Sequence, residues 1–327
     1  MLKKYYRAGK VPAFLFYVKG VVKELLPGWW YRLRAKMILR GWEKRLDADY
    51  IRWRRDFYCQ LKEDESNVDN RDGLIPIKDV RIGKFHSRYA IDARDTLRYF
   101  PADTLVRLHA GDVWENPESP TLIKARRRFA PNGDKAVILN LDSIRHWLRP
   151  KDNIPFTKKK PVLFFRGDIF NKPARIKFFE KWADNPMFDL GDTNTSHPSR
   201  WHADFVTVPD HFPYRFILAL EGFDMASSLQ WIMESNCVPV MPPPTVDGWL
   251  MHSRLQPGKH YIEISPDFSD VGEKIKYYID HPAEAEKIAM ESKRWMQQFH
   301  YRKRERLISL LVVKKYLELT TGGAVTK

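Results

Sequence analysis

An arginine and a glycine at the end of an apolar run are suited to holding phosphate. In PVLFFRGD, residues 161–165 have the length and composition of a strand; Arg166 could fork its guanidinium onto phosphate oxygens, and Gly167 would let the backbone come close. Arg166 could equally pair with Asp168 at the surface. A second arrangement lies within 211–264. Residues 214–220 are an apolar run of strand length, Glu221-Gly222-Phe223-Asp224 is a turn, and residues 226–235 carry Leu229, Ile232 and Met233 at helical spacing. Residues 237–241 read as another buried strand. The unit is then βαβ, and the Gly222 loop opens at the carboxyl end of its first strand, where open α/β sheets bind ligands. Asp224 or Ser227 would cap the helix, and the free amide groups at its start attract phosphate. Capping is also what Ser and Asp do at any helix.

A third place is HAGDVWENPESPTLIKARR, residues 109–127, which reads as an irregular loop. A carboxylate there, Asp112 first, could deprotonate a hydroxyl, and the cations Lys124, Arg126 and Arg127 could hold an anionic acceptor. The plain alternative is a solvated loop. His146, flanked by apolar residues in IRHW, suits a hydrogen-bonded core position as well as a functional one. Asp47-Ala48-Asp49 matches an Asp-x-Asp metal pattern but sits in a charged helical stretch and reads as surface charge.

The elements that must position these residues suit an α/β chain. A length of 327 residues fits two domains of roughly 150 residues each. Strands are expected at 105–108, 136–139, 161–165, 205–208, 214–220 and 237–241. Helices are expected from about Pro173, over 269–280 and 282–299, and over 304–319, the last amphipathic with a basic exposed side. Residues 150–160, rich in Pro and Lys, read as a linker. The stretch after MPPP, with Trp249, His252 and Arg254, reads as a lid-like segment.

Net charge is +15, and residues 1–60 hold 15 Lys and Arg against 5 Asp and Glu, which calls for an anionic partner. The cations alternate with Tyr5, Tyr6, Phe14, Phe16, Tyr17, Trp29, Trp30, Tyr31, Trp42 and Trp53. Such a mixture suits an anionic membrane surface; the same rings could pack on a core beneath a solvated basic face. No recognised nucleic-acid motif accompanies the charge, so no nucleic-acid partner is expected. Two cysteines give neither a disulfide framework nor a CxxC metal pair. The early apolar run 11–26 contains Lys19, Lys23 and Glu24, unlike a signal segment or the ~20 apolar residues of a spanning helix, so a soluble or peripheral protein is expected.

Three stretches resemble glycosyltransferase family 90, the CAP10 or lipopolysaccharide-modifying family, and its bacterial lipopolysaccharide branch most closely. They are EGFDMASSLQWIMESNCVPVMPPP with LQPGKHYIEISPDFSDVGEKIKYYIDHP, then KKKPVLFFRGD, and more weakly FPADTLVRLHAGD, together within roughly 100–295. The resemblance implies two facing Rossmann-like domains of the GT-B type with a long C-terminal helix. The layout is then a basic aromatic helical segment 1–66, a first α/β domain 67–155 on the acceptor side, a second α/β domain 156–300 on the donor side, and a helix over 301–327. It implies an inverting glycosyltransferase that needs no metal and no cofactor, with a nucleotide sugar, a UDP-sugar first, as donor. The acceptor would be a hydroxyl of lipopolysaccharide core or a related lipid-linked glycan.

Carried onto this chain, Asp112 becomes the base. Arg166 and Gly167 line the donor, and Asp224, Ser227 and Ser228 meet its sugar or diphosphate at the helix start; the loop cations Lys124 and Arg126 remain the candidates for the acceptor. In the animal branch the helix opens with a Ser-x-Arg-x-Lys type run; here Ser227-Ser228-Leu229-Gln230 has no cation, so the charge for a diphosphate must come from the helix terminus, from Arg166 first, and from Arg175 or Arg254. The expected location is cytoplasmic, peripheral at the inner face of a bacterial inner membrane. The rival from another class is a non-catalytic protein that binds anionic membrane or polysaccharide through its basic N-terminal segment.

Overall fold

A computed structural model describes residues 13–62, 72–141, 143–147 and 149–321. The expectations for Tyr5, Tyr6 and residues 67–71, and for the side chains of Phe14 and His146, lie outside what it describes. In chain order the helices are α1 (Ala13–Glu24), α2 (Gly28–Leu39), α3 (Ala48–Tyr58), α4 (Ser87–Leu97), α5 (Ser143–His146), α6 (Pro173–Trp182), α7 (Leu229–Glu234), α8 (Val271–Asp280), α9 (Pro282–Gln297) and α10 (Arg302–Thr320). The strands are β1 (Ile75–Pro76), β2 (Leu105–Val106), β3 (Thr121–Ile123), β4 (Ala125–Arg127), β5 (Ala136–Ile138), β6 (Lys160–Gly167), β7 (Phe188–Asp192), β8 (Tyr214–Leu218), β9 (Val238–Met241), β10 (Val246–Gly248) and β11 (Ile262–Glu263). Among the described residues no helix is long and apolar enough to cross a membrane.

The chain forms two compact units. The first comprises Ala13–Ile144, Thr245–His252 and Phe299–Lys327, the second Arg145–Pro244 and Ser253–Gln298. In the first, α10 packs against α2, α3 and α4. Residues 307–313 of α10 are buried without a break, as are Tyr316 and Leu317, so the amphipathic surface helix expected here is instead a core helix with its cations gathered near the ends. Tyr316 fixes it to the strands: its hydroxyl accepts the Arg107 N–H at 3.0 Å and donates to the Pro120 carbonyl at 3.3 Å.

Two further expectations fail in this unit. The loop 109–127 is irregular only in its first half. Its second half forms β3, parallel to β5, and β4, antiparallel to β10. The Trp249 stretch is no lid. Trp249 is buried, stacked on Tyr58 with ring centroids 4.0 Å apart, and β10 is sewn to β4 from Val246↔Arg127 to Gly248↔Ala125. Asp47 and Asp49 carry ion pairs to Arg45 at 2.8 Å and Arg52 at 2.5 Å.

The second unit is built on a five-stranded parallel sheet, β11-β9-β8-β6-β7. Leu163, Phe164 and Phe165 of β6 and Phe216, Ile217 and Leu218 of β8 are all buried, as continuous apolar runs are when both faces of a parallel sheet are covered. Residues 205–208 do not make the expected strand. The chain there enters a 3-10 turn, Val208–His211, closed by a capping box between Thr207 and Asp210. The Pro- and Lys-rich stretch 150–160 is held in place: the side chains of Asp152 and Lys159 are fully buried and paired at 2.7 Å, and Asp152 also accepts the Asn236 N–H at 2.8 Å.

Candidate active site

In the first unit three elements converge on Asp112. The residue sits in the loop after β2, and Lys124, between β3 and β4, donates to Asp112 Oδ1 at 2.6 Å. Tyr89 of α4 receives a hydrogen bond from Lys124 Nζ at 3.2 Å and donates to the same Oδ1 at 3.5 Å. His109 Nε2 holds the loop from behind by donating to the Asp112 carbonyl at 2.9 Å. Gly111 leaves room for that ring, since a Cβ there would lie 3.3 Å from His109 Nε2. The result is a half-exposed carboxylate with one oxygen fixed by a charge-assisted hydrogen bond.

Lys124 therefore serves Asp112 and does not face solvent as an anion-binding cation. Arg126 is also turned inward: it is 4% exposed, donates to the Phe57 carbonyl at 2.9 Å, and burial pulls its pKa below the ordinary arginine range. Tyr89 was missing from the sequence reading, because α4 shows nothing in its own pattern to mark one tyrosine.

In the second unit the sheet order reverses around β6. From β6 the chain passes through α6 to β7 on one side, whereas β8 and β9 follow on the other. The carboxyl ends of β6 and β8 thus flank a topological switch point, the position where open α/β sheets form a ligand crevice. Arg175 of α6 braces it, donating to the carbonyls of Asp168 at 2.8 Å, Leu220 at 2.7 Å and Glu221 at 3.3 Å. Burial lowers its pKa to about 10, so it stays charged at neutral pH. Gly222 closes over it, and a Cβ there would lie 3.4 Å from Arg175 Nη2 and 3.6 Å from Lys172 Cε.

Lys172, which the sequence reading passed over, donates to Asp168 Oδ2 at 2.6 Å and lies 4.9 Å from the Phe223 ring centre. Burial works to raise the pKa of Asp168, but hydrogen bonds from Lys172 and Asn194 outweigh it and hold the carboxyl below the usual range. Two cations thus stand beneath the Glu221–Asp224 turn.

Arg166 points elsewhere. Its guanidinium crosses to the edge strand β7, donating to Asp189 Oδ1 at 2.6 Å and to the Asp189 carbonyl at 3.0 Å, and stacks 4.5 Å over Phe164. Its partner is Asp189, not the Asp168 considered from sequence. Gly191 makes the crossing possible, since a Cβ there would meet Arg166 Cδ at 2.8 Å. Gly167 ends β6 above the Phe165 ring, 2.8 Å from where a Cβ would sit.

The helix expected from Ala226 begins at Leu229 and has six residues. Ser227 and Ser228 lie in the turn before it; Ser228 makes no side-chain cap, and Asp224 is buried with its carbonyl accepting the Gly222 N–H at 3.0 Å. So short a helix contributes little dipole, which leaves Arg175 and Lys172 as the main positive charge at the switch point. Arg254 is exposed on the 3-10 turn His252–Arg254. Among the described residues no group of three or more His, Cys, Asp or Glu is placed to hold a metal ion.

The profile of glycosyl transferase family 90 matches residues 133–316, a span that includes the whole switch point. O-glucosyltransferase LpsA of Dichelobacter nodosus is 35% identical over 312 residues, covering 93% of this chain and 95% of its own. The chain belongs to glycosyl transferase family 90, in its bacterial branch. Family 90 membership makes it a glycosyltransferase and sets aside the non-catalytic binding protein as a reading of the whole chain. Protein O-glucosyltransferase 2 of Danio rerio is 31% identical over 117 residues, 36% of this chain but 23% of that protein. The uncharacterized protein 179R of Invertebrate iridescent virus 6 is 27% identical, and 78% of this chain matches 24% of it.

Proposed function

We propose that this protein transfers one sugar, with inversion and without a metal, from a nucleotide sugar to a hydroxyl of lipopolysaccharide core or a related lipid-linked glycan. UDP-glucose is the first donor to try, because the bacterial relative that matches along nearly its whole length is named an O-glucosyltransferase. One observation carries the reading: a parallel sheet whose order reverses at β6, with Arg175 and Lys172 under a glycine turn at the switch point. A diphosphate leaving group needs compensating positive charge, and these side chains offer it. Gly167, Asp224, Ser227 and Ser228 border the same strand ends and are proposed to line the donor. The GT-B class belongs to this proposal and is supported by the parallel sheet.

Asp112 is the proposed base. Its carboxylate would take the proton of the acceptor hydroxyl as oxygen attacks the anomeric carbon and the bond to the diphosphate breaks, leaving inverted product and nucleoside diphosphate. Lys124 and Tyr89 hold the carboxylate for that step. Enzyme incubated in EDTA with UDP-glucose and other nucleotide sugars, with and without deacylated lipopolysaccharide core, should release nucleoside diphosphate in step with sugar transfer. Asp112→Asn should lose about 10²- to 10⁴-fold in kcat with donor affinity kept. Normal turnover in that variant removes Asp112 from the role, and dependence on added metal removes the metal-free mechanism. The setting proposed is the cytoplasmic face of the inner membrane, where such acceptors are lipid-borne.

A further inference from the structure

Helices α1 and α2 carry apolar residues on two faces. Inward, α1 sets Gly20 against Ile91 of α4, where an added Cβ would lie 2.9 Å from Ile91 Cγ1, and α2 buries Tyr31 and Ala35. Outward, Leu15, Val18, Val22 and Leu25 recur at three- and four-residue steps along α1 and its exit, and Trp29, Leu33 and Met37 at four-residue steps along α2. All seven are exposed, Leu25 by 79%, Met37 by 61% and Trp29 by 60%. A helix that buries one face ordinarily turns polar side chains to water. A second stripe of large apolar groups marks an interaction surface.

The charge around the stripe says what covers it. Residues 13–40 carry Lys19, Lys23, Arg32, Arg34, Lys36 and Arg40 against Glu24 alone. Beside the stripe lies a cavity of about 690 Å³ with aromatic walls, Trp30, Tyr31, Trp42 and Tyr99, and the exposed Leu26 and Met37 in its lining. Seven of the lining side chains are Lys or Arg, and Asp95 is the one carboxylate among them. Lys23 and Arg306 pair with Asp95, and Arg45 pairs with Asp47. Arg34, Arg40, Arg302 and Lys303 pair with no carboxylate among the described residues. A partner with an anionic head and a hydrocarbon body satisfies both features. A second copy of this chain would press one basic rim against another, and a nucleic acid has no use for the Leu and Val stripe.

We infer that α1 and α2 lie in the plane of an anionic bilayer, with Leu25, Trp29 and Met37 at the headgroup–acyl boundary and the basic cavity between α2 and the start of α10 seating a lipid phosphate. This deepens the proposed membrane setting and rests on it for its purpose, though the binding itself does not depend on the reaction.

The full chain is cosedimented with vesicles of phosphatidylglycerol in phosphatidylcholine and with vesicles of phosphatidylcholine alone. The native protein should sediment with the anionic vesicles and be released by salt. The double variant Leu25→Glu with Trp29→Glu should bind about tenfold more weakly or worse; Arg34→Gln with Arg302→Gln should lose most of the preference for phosphatidylglycerol. All four residues lie outside the proposed active site, so turnover on a soluble acceptor should be unchanged. Native protein that ignores phosphatidylglycerol, or a Leu25/Trp29 variant that binds as the native one does, overturns the inference. So does light scattering that shows a native dimer made monomeric by those substitutions, which would give the face to a second copy. Turnover without vesicle binding defeats the docking surface alone, and vesicle binding without turnover defeats the reaction alone.

Discussion

Lys124 and Asp112 are 2.6 Å apart yet differ sharply in exposure, the lysine side chain being 2% exposed and the carboxylate side chain 37%. A buried ammonium therefore aims one oxygen of a carboxylate whose other side reaches solvent. Lys124→Met keeps most of the volume and removes the charge-assisted bond, which is worth about 1.5–3 kcal/mol in general. Turnover is expected to fall about ten- to a hundredfold while the calorimetric affinity for UDP stays at its native value. Unchanged kcat would mean that Asp112 needs no such support; a parallel loss of UDP affinity would mean that the variant has misfolded.

Arg175 and Arg166 separate binding from stability. Arg175→Met removes one of the two cations at the switch point and should weaken UDP binding by about tenfold or more. Arg166→Met should leave UDP affinity near native and instead lower the unfolding free energy from urea titration by about 1–2 kcal/mol, through the lost bonds to Asp189 and the ring of Phe164. Calorimetry with UDP and urea titration on both variants decides it, and the reverse pattern would restore Arg166 as the phosphate residue.

The exchange of roles between these arginines shows how far the sequence could be read. Strands β6, β8 and β9 were legible because parallel strands covered on both faces are continuous apolar runs, and α8 and α9 because their periodicity is strong. Arg166 drew notice by standing at a strand end. Arg175 acts by gathering backbone carbonyls from two loops, and no residue pattern announces that. Asp112 and Lys124 were both singled out, but for different tasks. Their contact depends on β3 and β4, three residues each and hidden behind Pro117 and Pro120. The 245–252 stretch misled for a related reason: its Trp and His look functional in a loop and are explained only by β10 pairing with β4 in the first unit.

His252 ties that stretch to pH. It is buried, its Nδ1 accepts the Gly248 N–H at 3.1 Å, and burial lowers its pKa from 6.5 to about 4. Folding therefore favours the neutral ring, and between pH 6.5 and about 4 the unfolded chain binds more protons. This contribution is whole above pH 6.5 and is lost as pH falls through that window, about 2 kcal/mol of it by pH 5. Buried His211, likewise lowered to about 4 by burial, adds to the slope. The urea midpoint should fall between pH 7 and pH 5, and less steeply in His252→Asn. A flat profile over that interval would show that the ring takes up its proton in the folded protein as readily as in the unfolded chain.

Glu305 anchors the core of the first unit. Arg54, with its side chain 0% exposed, pairs with both carboxylate oxygens of Glu305, and Trp249 Nε1 donates to the same carboxylate at 2.8 Å. Tyr58 completes the group, receiving Arg54 Nη2 at 2.7 Å and donating to the Trp249 carbonyl at 2.7 Å. Glu305→Ala would strand a buried guanidinium, a change that costs about 3–5 kcal/mol when a buried pair is broken from one side. Replacing both partners removes the stranded charge, so Arg54→Met combined with Glu305→Met should regain a large part of that loss. Thermal unfolding of the single and double variants measures the difference. A double variant that is destabilised by the sum of the two single changes would show that the pair is not coupled and that α3, α10 and the Trp249 stretch are held by packing alone.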